Sequence, residues 1–218
     1  MPGVRIEELQ TPPAIDRLPR DKHGRPIPWF VHVDENGVPD FRVIRRGGIT
    51  DALRFELCWV CGRHRGRHAA FVIGPMCAVN RVSAEPPAHL ECALYSAQAC
   101  PFLTTPAMRR RERGLDEMGV VDPAGEMIPR NPGVALVWSS RTWSTFPDPD
   151  GHLLLDIGDP TATSWWAHGR PATREEVLTS IESGLPLLQA ACDRDRRPDL
   201  ARAELERQIL TARDLLPA

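Results

Sequence analysis

Lysine is almost missing from this chain, in which Lys22 is the one lysine beside 26 arginines. Long apolar runs are missing too, since none approaches the roughly 18 residues that a membrane-spanning helix needs. The first residues contain no apolar stretch of the kind found in a secretory signal. We therefore expect a cytoplasmic protein without a membrane segment, whose cysteines stay reduced.

Proline and glycine, by contrast, are plentiful, with 22 and 16 among the 218 residues. So much punctuation excludes a coiled coil or a long helical bundle. The hydrophobic share of 42% and the charged share of 26% are those of a globular chain with one domain or two small ones. Composition thus defines a class of protein and no activity.

Charge is unevenly distributed along the chain, although the formal net charge is only −2. Residues 42–113 contain 12 arginines and five acidic residues, a net charge of +7, and the remainder carries −9. A basic middle can steer an anionic partner to itself. It can equally be compensated within the molecule by acidic helices that lie over it. The sequence leaves both explanations open, and the bias toward arginine can also reflect a GC-rich genome.

In the first half of the chain, turn signals separate short apolar runs. Asn36-Gly37 joins two β-rich runs and predicts a hairpin, and Gly74-Pro75 breaks a later apolar run in the same manner. Proline pairs indicate helix starts, where a missing N–H costs nothing. In chain order we expect a hairpin over 28–44, a helix over 49–57 capped by Thr50, a hairpin over 69–80 and a helix over 88–100.

The second half changes from strand patterns to helix patterns. The runs VALVW, TWSTF and HLLLDI predict an antiparallel meander of about three strands. Thr173 and Glu176 form a capping box for a helix that Gly184 and Pro186 should interrupt. Pro198 should start the final helix.

The strongest chemical signal is a set of metal-ligand residues. Cys58 and Cys61 form a CxxC knuckle, and a turn of this spacing lets two thiolates converge on one ion. His89 and Cys92 are three residues apart at a predicted helix start, so they share one helix face. A Cys3His set is an ordinary structural zinc site. We therefore expect a structural Zn²⁺ held by Cys58, Cys61, Cys92 and His89.

The fourth ligand stays open at this point, because Cys77 lies between the two pairs and rivals His89. The alternative to a metal site is a set of buried cysteines with a hydrogen-bonded histidine. A redox CxxC is disfavoured because no strand–CxxC–helix order is present. Cys100 lies about 12 Å along the helix from Cys92 and should not take part. Cys192 should be an ordinary buried residue.

The order of knuckle, hairpin and ligand-bearing helix predicts the fold class. We expect an α+β protein with a treble-clef-like zinc module, an N-terminal β-hairpin, a small antiparallel sheet and C-terminal helices. The expected regions are an extended arm over 1–27, the hairpin and zinc module over 28–103, a linker with one polar helix over 104–132, and the sheet with the C-terminal helices over 133–218. The last region can also be continuous with 28–103.

Two further features could contact a partner. The adjacent Trp165 and Trp166 can form a ligand platform, although neighbouring aromatics more often pack one inward and one outward at a core edge. Arginines around the cysteine block can contact phosphates, but no aromatics alternate with them for base stacking. The candidate anion-binding or nucleic-acid-binding residues are Arg63, Arg65, Arg67 and Arg81.

Several segments together resemble uncharacterised proteins of phages and prophages. They include CWVCG, AFVIGPMCAVNRVSAEPPAHLECA, NPGVALVW and GRPATREEVLTSIESGLPLL, and the cysteine-bearing block is the most specific of them. The resemblance spans most of residues 17–190. It implies an accessory protein of the host cell cytosol, and it brings no activity and no functional residues with it.

We therefore expect a phage-type binding or adaptor protein that engages nucleic acid or an acidic protein surface. One alternative is a degenerate HNH-type nuclease, since those enzymes also build on a treble clef. Here His68 and Asn80 would be its polar groups, but the Asp-His pair that supplies a general base is missing. Another alternative is an inhibitor of a host protein. The residues indicate no small-molecule substrate and no membrane partner.

Overall fold

The computed structural model describes residues 9–105, 131–148 and 150–218. The strands in these ranges are β1 (Val31–Val33), β2 (Pro39–Ile44), β3 (Ala69–Ile73), β4 (Val82–Ser83), β5 (Ala135–Ser140), β6 (Ser144–Pro147), β7 (Leu153–Asp156), β8 (Pro160–Ala167) and β9 (Arg170–Pro171). The helices are α1 (Pro13–Asp16), α2 (Gly48–Arg54), α3 (Pro75–Asn80), α4 (Leu90–Ala99), α5 (Pro101–Thr104), α6 (Arg174–Asp193) and α7 (Pro198–Ala212), and a 3-10 turn follows at Arg213–Leu215.

Three antiparallel sheets organise these elements, so the expected α+β class with small antiparallel sheets and C-terminal helices is confirmed. The largest sheet has the order β3-β5-β8-β9, a second has the order β4-β7-β6, and β1 pairs with β2. No described helix is long and apolar enough to cross a membrane.

The four-stranded sheet separates two hydrophobic cores because both of its faces are covered. Along β5, Val137 points into the core that also contains the cysteines of the CxxC pair, whereas Leu136 and Trp138 point into the opposite core. Trp165 packs in this second core and Trp166 packs against the first. The two tryptophans therefore lie on opposite faces of β8, as the alternation of strand side chains requires.

The hairpin predicted over 28–44 is confirmed, with Val33 opposite Pro39. Its turn is ordered by Asp34, whose Oδ1 accepts the N–H groups of Asn36 at 2.9 Å and Val38 at 2.8 Å. The same Asp-x-x-Gly pattern and the same paired acceptance recur in the turns that begin at Asp21 and Asp148. In all three turns the aspartate carboxylate accepts the backbone N–H groups two and four residues further along the chain, and these hydrogen bonds stabilise the turn.

The hairpin predicted over 69–80 is wrong. After β3, Gly74 leads directly into helix α3, with Pro75 in the first helical turn. Proline favours a helix start there because its φ suits the helix and its missing N–H has no intrahelical partner. The strand that pairs with β3 is β5, far along the chain, with Ala69 opposite Ser140.

Other local predictions also change. The meander is wrong in its pairing, since β5 joins the large sheet while β6 and β7 form a hairpin beside β4; β8 was missed. Helix α2 is confirmed, but its N-cap is Gly47 with φ of 71° rather than Thr50.

The capping box at Thr173 is confirmed, and it begins α6. The expected interruption is wrong, because α6 continues through Pro186 to Asp193. Gly184 lies so close to Met76 of α3 that a Cβ there would be 2.7 Å from the Met76 Sδ. The helix is therefore held by its packing, which outweighs the weak helix propensity of glycine and proline.

The two halves of the chain share packing as well as a sheet. Met76 and Val79 of α3 form a small core with Leu205 and Ala212 of α7.

Within the predicted arm, α1 buries Ile15, which is 1% exposed, in the first core. Most of the predicted linker, with its polar helix, lies outside the described residues.

Candidate metal centre

The knuckle of Cys58 and Cys61 is a tight turn closed by backbone hydrogen bonds. The Cys58 N–H donates to the Arg63 carbonyl at 2.7 Å, and the Gly62 N–H donates to the Cys58 carbonyl at 2.9 Å. Gly62 has φ of 68°, and a Cβ there would lie 2.5 Å from the Trp29 ring. Only glycine suits this position, because both the backbone angle and the packed indole exclude a side chain.

The second ligand pair comes from the beginning of α4. His89 is the N-cap residue of that helix, and Cys92 lies in its first turn. Ala88, just before the helix, bridges to Ala70 of β3, which holds the helix start against the central sheet. As a result, one ligand atom from each of Cys58, Cys61, His89 and Cys92 lies within 4.8 Å of the others.

Burial distinguishes this cluster from a chance surface group. Cys58 and Cys92 are fully buried, Cys61 is 7% exposed, and His89 is partly exposed. No disulfide joins any of the three cysteines. The four side chains form a buried candidate metal site, and the histidine is its solvent-facing member.

The orientation of His89 is determined by its second nitrogen. Its Nε2 lies 3.0 Å from the His64 carbonyl, which can only accept a hydrogen bond, so Nε2 must carry the proton. In the tautomer with the proton on Nε2, Nδ1 has a free lone pair. It lies 3.4 Å from the Cys61 Sγ and 3.8 Å from the Cys92 Sγ. The lone pair is therefore directed at the sulfur atoms, as in a metal-binding histidine.

Backbone N–H groups converge on the sulfur atoms as well. The Cys58 Sγ accepts from the Cys61 N–H at 3.5 Å and from the His89 N–H at 3.3 Å. The backbone N–H of Arg63 acts on Cys61 in the same sense, because it lowers the pKa of that thiol. Donors of this kind stabilise thiolate charge, which is the form of sulfur that binds a metal.

The pKa values of the three thiols depend on one another through hydrogen bonds within the cluster. Hydrogen bonds from the Cys61 and Cys92 thiols lower the pKa of Cys58. The same hydrogen bonds with Cys58 raise the pKa of both Cys61 and Cys92. One sulfur thus ionises at the expense of its neighbours, and three thiolates at this separation require a cation.

The other cysteines lie elsewhere. Cys77 is in α3 and packs against the second core, on the opposite side of the sheet from the cluster. Cys100 follows the end of α4, and Cys192 packs at the edge of the core between α3 and α7. The structure thus brings together His89 rather than Cys77 with the other three ligands.

The four arginines singled out in the sequence have different surroundings. Arg63 and Arg67 are exposed in the segment between the knuckle and β3. Arg65 is only 8% exposed and stacks on Trp143, 5.2 Å from the ring centroid. Burial lowers the pKa of Arg65, while the charges of Glu56 and Cys58 raise it. Arg81 is engaged elsewhere, in an ion pair of 2.6 Å with Asp159.

Sequence reasoning missed several residues that support the centre. Trp29 packs on Gly62, His64 orients the ligand histidine, and Trp143 carries Arg65. Trp59, inside the knuckle, stacks on Phe30 with a centroid distance of 4.9 Å. Trp59 and His64 lie in or next to the knuckle in sequence, whereas Trp29, Phe30 and Trp143 reach it from segments that are remote along the chain.

A second group of candidate ligands comprises Asp148, Asp150 and His152 in the turn between β6 and β7. Asp150 and His152 are exposed, and Asp148 is occupied by the turn's own N–H groups. The hydrogen bonds of the turn explain this arrangement without an ion.

In comparisons with known proteins, no family model, no curated protein and no solved structure matches the chain. The site geometry therefore carries the functional argument.

Proposed function

We propose that this protein is a binding module whose fold is stabilised by a structural zinc ion at Cys58, Cys61, His89 and Cys92. The observation that carries the proposal is the convergence of these four ligand atoms within 4.8 Å in a buried place. The hydrogen bond from Nε2 of His89 to the His64 carbonyl leaves Nδ1 facing the sulfur atoms. A tetrahedral zinc site with sulfur and nitrogen ligands requires S–N separations of about 3.6 Å. The two separations of 3.4 and 3.8 Å lie on either side of that value.

Four protein ligands favour a structural role over a catalytic one. A catalytic zinc keeps one position open for water or substrate, whereas here all four tetrahedral positions have a side chain. Zn²⁺ with three thiolates and a neutral imidazole carries a net charge of about −1. The negative charge of Cys58 raises the pKa of the nearby Arg65, so this guanidinium is placed to compensate part of that charge.

The arrangement is treble-clef-like in a modified form. The knuckle, the Ala70–Ala88 bridge and α4 follow in the order of a knuckle, a strand pair and a ligand-bearing helix. Helix α3 and strand β4 are inserted between the two bridged residues. We propose that the module serves a cytosolic, phage-type accessory protein that binds nucleic acid or an acidic protein surface.

Metal analysis of the purified protein tests this proposal. We expect about one zinc per chain, and we expect Cys58→Ser to release it and lower the melting temperature. The matched control is Cys192→Ser, which changes a cysteine outside the cluster and should retain the metal. A stable, metal-free wild-type protein would exclude the proposal.

No described contact favours the nuclease alternative. His68 is exposed before β3, and the side chain of Asn80 is used in a turn, where its Oδ1 accepts the Val82 N–H at 3.0 Å. Intact plasmid after incubation with Mg²⁺ or Mn²⁺ would exclude nuclease activity. The inhibitor alternative remains a prediction that a pull-down from host lysate tests.

A further inference from the structure

Two segments that are remote in sequence form one basic surface beside the metal centre. The first is the loop of residues 63–68, and the second is the turn of residues 141–143 after β5. Because Ala69 pairs with Ser140, the next residues outward, His68 and Arg141, leave the sheet at the same end. The stacking of Arg65 on Trp143 at 5.2 Å joins the two segments a second time.

Three guanidinium groups on this surface are available to a partner. Arg63, Arg67 and Arg141 are exposed, and within the described residues no ion pair or side-chain hydrogen bond engages them. We call these three residues the arginine patch. The sequence from 57 to 84 contains no aspartate or glutamate, and the adjacent Glu56 is engaged by His64 at 3.2 Å. Along the loop itself, the arginine side chains therefore outnumber the acidic ones.

The backbone beneath the patch is ordered by the metal knuckle. The Arg63 carbonyl accepts the Cys58 N–H at 2.7 Å, and the Arg65 N–H donates to the Glu56 carbonyl at 2.8 Å. Arg65 is held between its tryptophan and the Gly66 carbonyl. A partner that binds here does not have to order the loop, which reduces the entropic cost of association.

The chemistry of the surface favours phosphate over an acidic protein. Residues 62–68 are glycine, arginine and histidine only, so no apolar anchor of the kind that dominates protein interfaces is present. Trp143 is half-buried, and its ring already contacts the Arg65 guanidinium and Phe71, which disfavours its use in base stacking. Arginine forks suit phosphate oxygens.

We propose that the arginine patch binds the phosphate backbone of double-stranded nucleic acid without reading its sequence. The proposal rests on the proposed zinc site, since the metal holds the knuckle that carries Arg63. About three phosphate contacts should give a slope of about −2.7 in log affinity against log salt concentration. That slope corresponds to a loss of about 40-fold between roughly 50 and 200 mM salt.

Fluorescence anisotropy with a labelled duplex of about 20 base pairs, over this salt range, tests the proposal. We expect the triple variant Arg63→Gln, Arg67→Gln, Arg141→Gln to bind at least about tenfold more weakly at the lowest salt and to lose most of the slope. The matched control is Arg196→Gln with Arg197→Gln, which removes two exposed arginines between α6 and α7 and should bind as the wild type does. Circular dichroism and zinc content establish that each variant is folded.

Three outcomes would refute the proposal that the arginine patch binds duplex. The first is that zinc-loaded protein does not bind duplex at low salt. The second is that the triple variant binds duplex as tightly as the wild type does, and the third is that the protein binds an acidic peptide and not the duplex. The zinc content of the same samples separates the two proposals. If the protein contains zinc and does not bind duplex, only the nucleic-acid proposal is refuted. If the protein is folded without zinc, the zinc proposal is refuted whatever the binding result.

Discussion

Replacing His89 by alanine tests the ligand that the structure selects over Cys77. The change removes the nitrogen ligand, and it leaves Cys58, Cys61 and Cys92 as a three-sulfur site open to water at its exposed side. The matched perturbation is Cys77→Ser, which removes the rival from α3 on the other side of the sheet. We expect the first variant to lose zinc affinity and the second to retain it.

The size of the effect follows from the number of ligands. Structural zinc sites of this type bind with about 10–16 kcal/mol at neutral pH. One ligand of four then contributes about 2.5–4 kcal/mol, which is about 10²- to 10³-fold in the dissociation constant. A metal that binds only the folded state stabilises that state by RT ln(1 + L/Kd), where L is the concentration of free zinc. The fall in melting temperature should therefore grow with free zinc and reach its full size once free zinc exceeds the dissociation constant of the variant.

Competition with a chromophoric chelator measures the affinity, and Co²⁺ substitution identifies the ligand atoms. The wild type and Cys77→Ser should share one visible spectrum of a three-sulfur, one-nitrogen site. His89→Ala should shift it. The opposite result would refute the assignment of His89: zinc affinity unchanged in His89→Ala and about 10²- to 10³-fold weaker in Cys77→Ser. The fourth ligand would then be the sulfur of Cys77.

Further predictions concern the packing around the centre and the C-terminal helix. Gly62→Ala should destabilise the fold by about 1–3 kcal/mol more than Gly66→Ala in thermal unfolding, since both have positive φ but only the former meets a packed ring. Ile15→Ala should cost about 2–4 kcal/mol in urea unfolding, while Leu200→Ala at a 60% exposed position should cost under about 0.5. Hydrogen bonds from Arg170 lower the pKa of Glu176 from 4.5 to about 2. This depressed pKa stabilises the fold by about 1 kcal/mol above pH 4.5, and the contribution is lost as the pH falls toward 2. Glu176→Gln should accordingly flatten the unfolding free energy over that pH interval, and an unchanged pH profile would contradict the assignment.

The fold was predictable where the determinants are local. Asn36-Gly37 specified a hairpin, and the capping box at Thr173 specified a helix start, because each depends on hydrogen bonds within a few residues. The hairpin at 69–80 failed for the opposite reason. An apolar run of that length suits a strand or a buried helix equally, and Pro75 with the distant strand β5 decided the outcome.

The sequence by itself determined the two local pairs of the candidate site, because one turn brings Cys58 and Cys61 together and one helix start brings His89 and Cys92 together. The choice of His89 over Cys77 was decided by tertiary structure, since the sheet places one beside the thiols and the other across the core. The arginine patch likewise needed Arg141 from a strand end that no local pattern connects to the knuckle. The physical reason is that spacing within a turn or a helix start determines which side chains are neighbours locally. Pairing between distant strands determines which of these local groups come together in the folded protein.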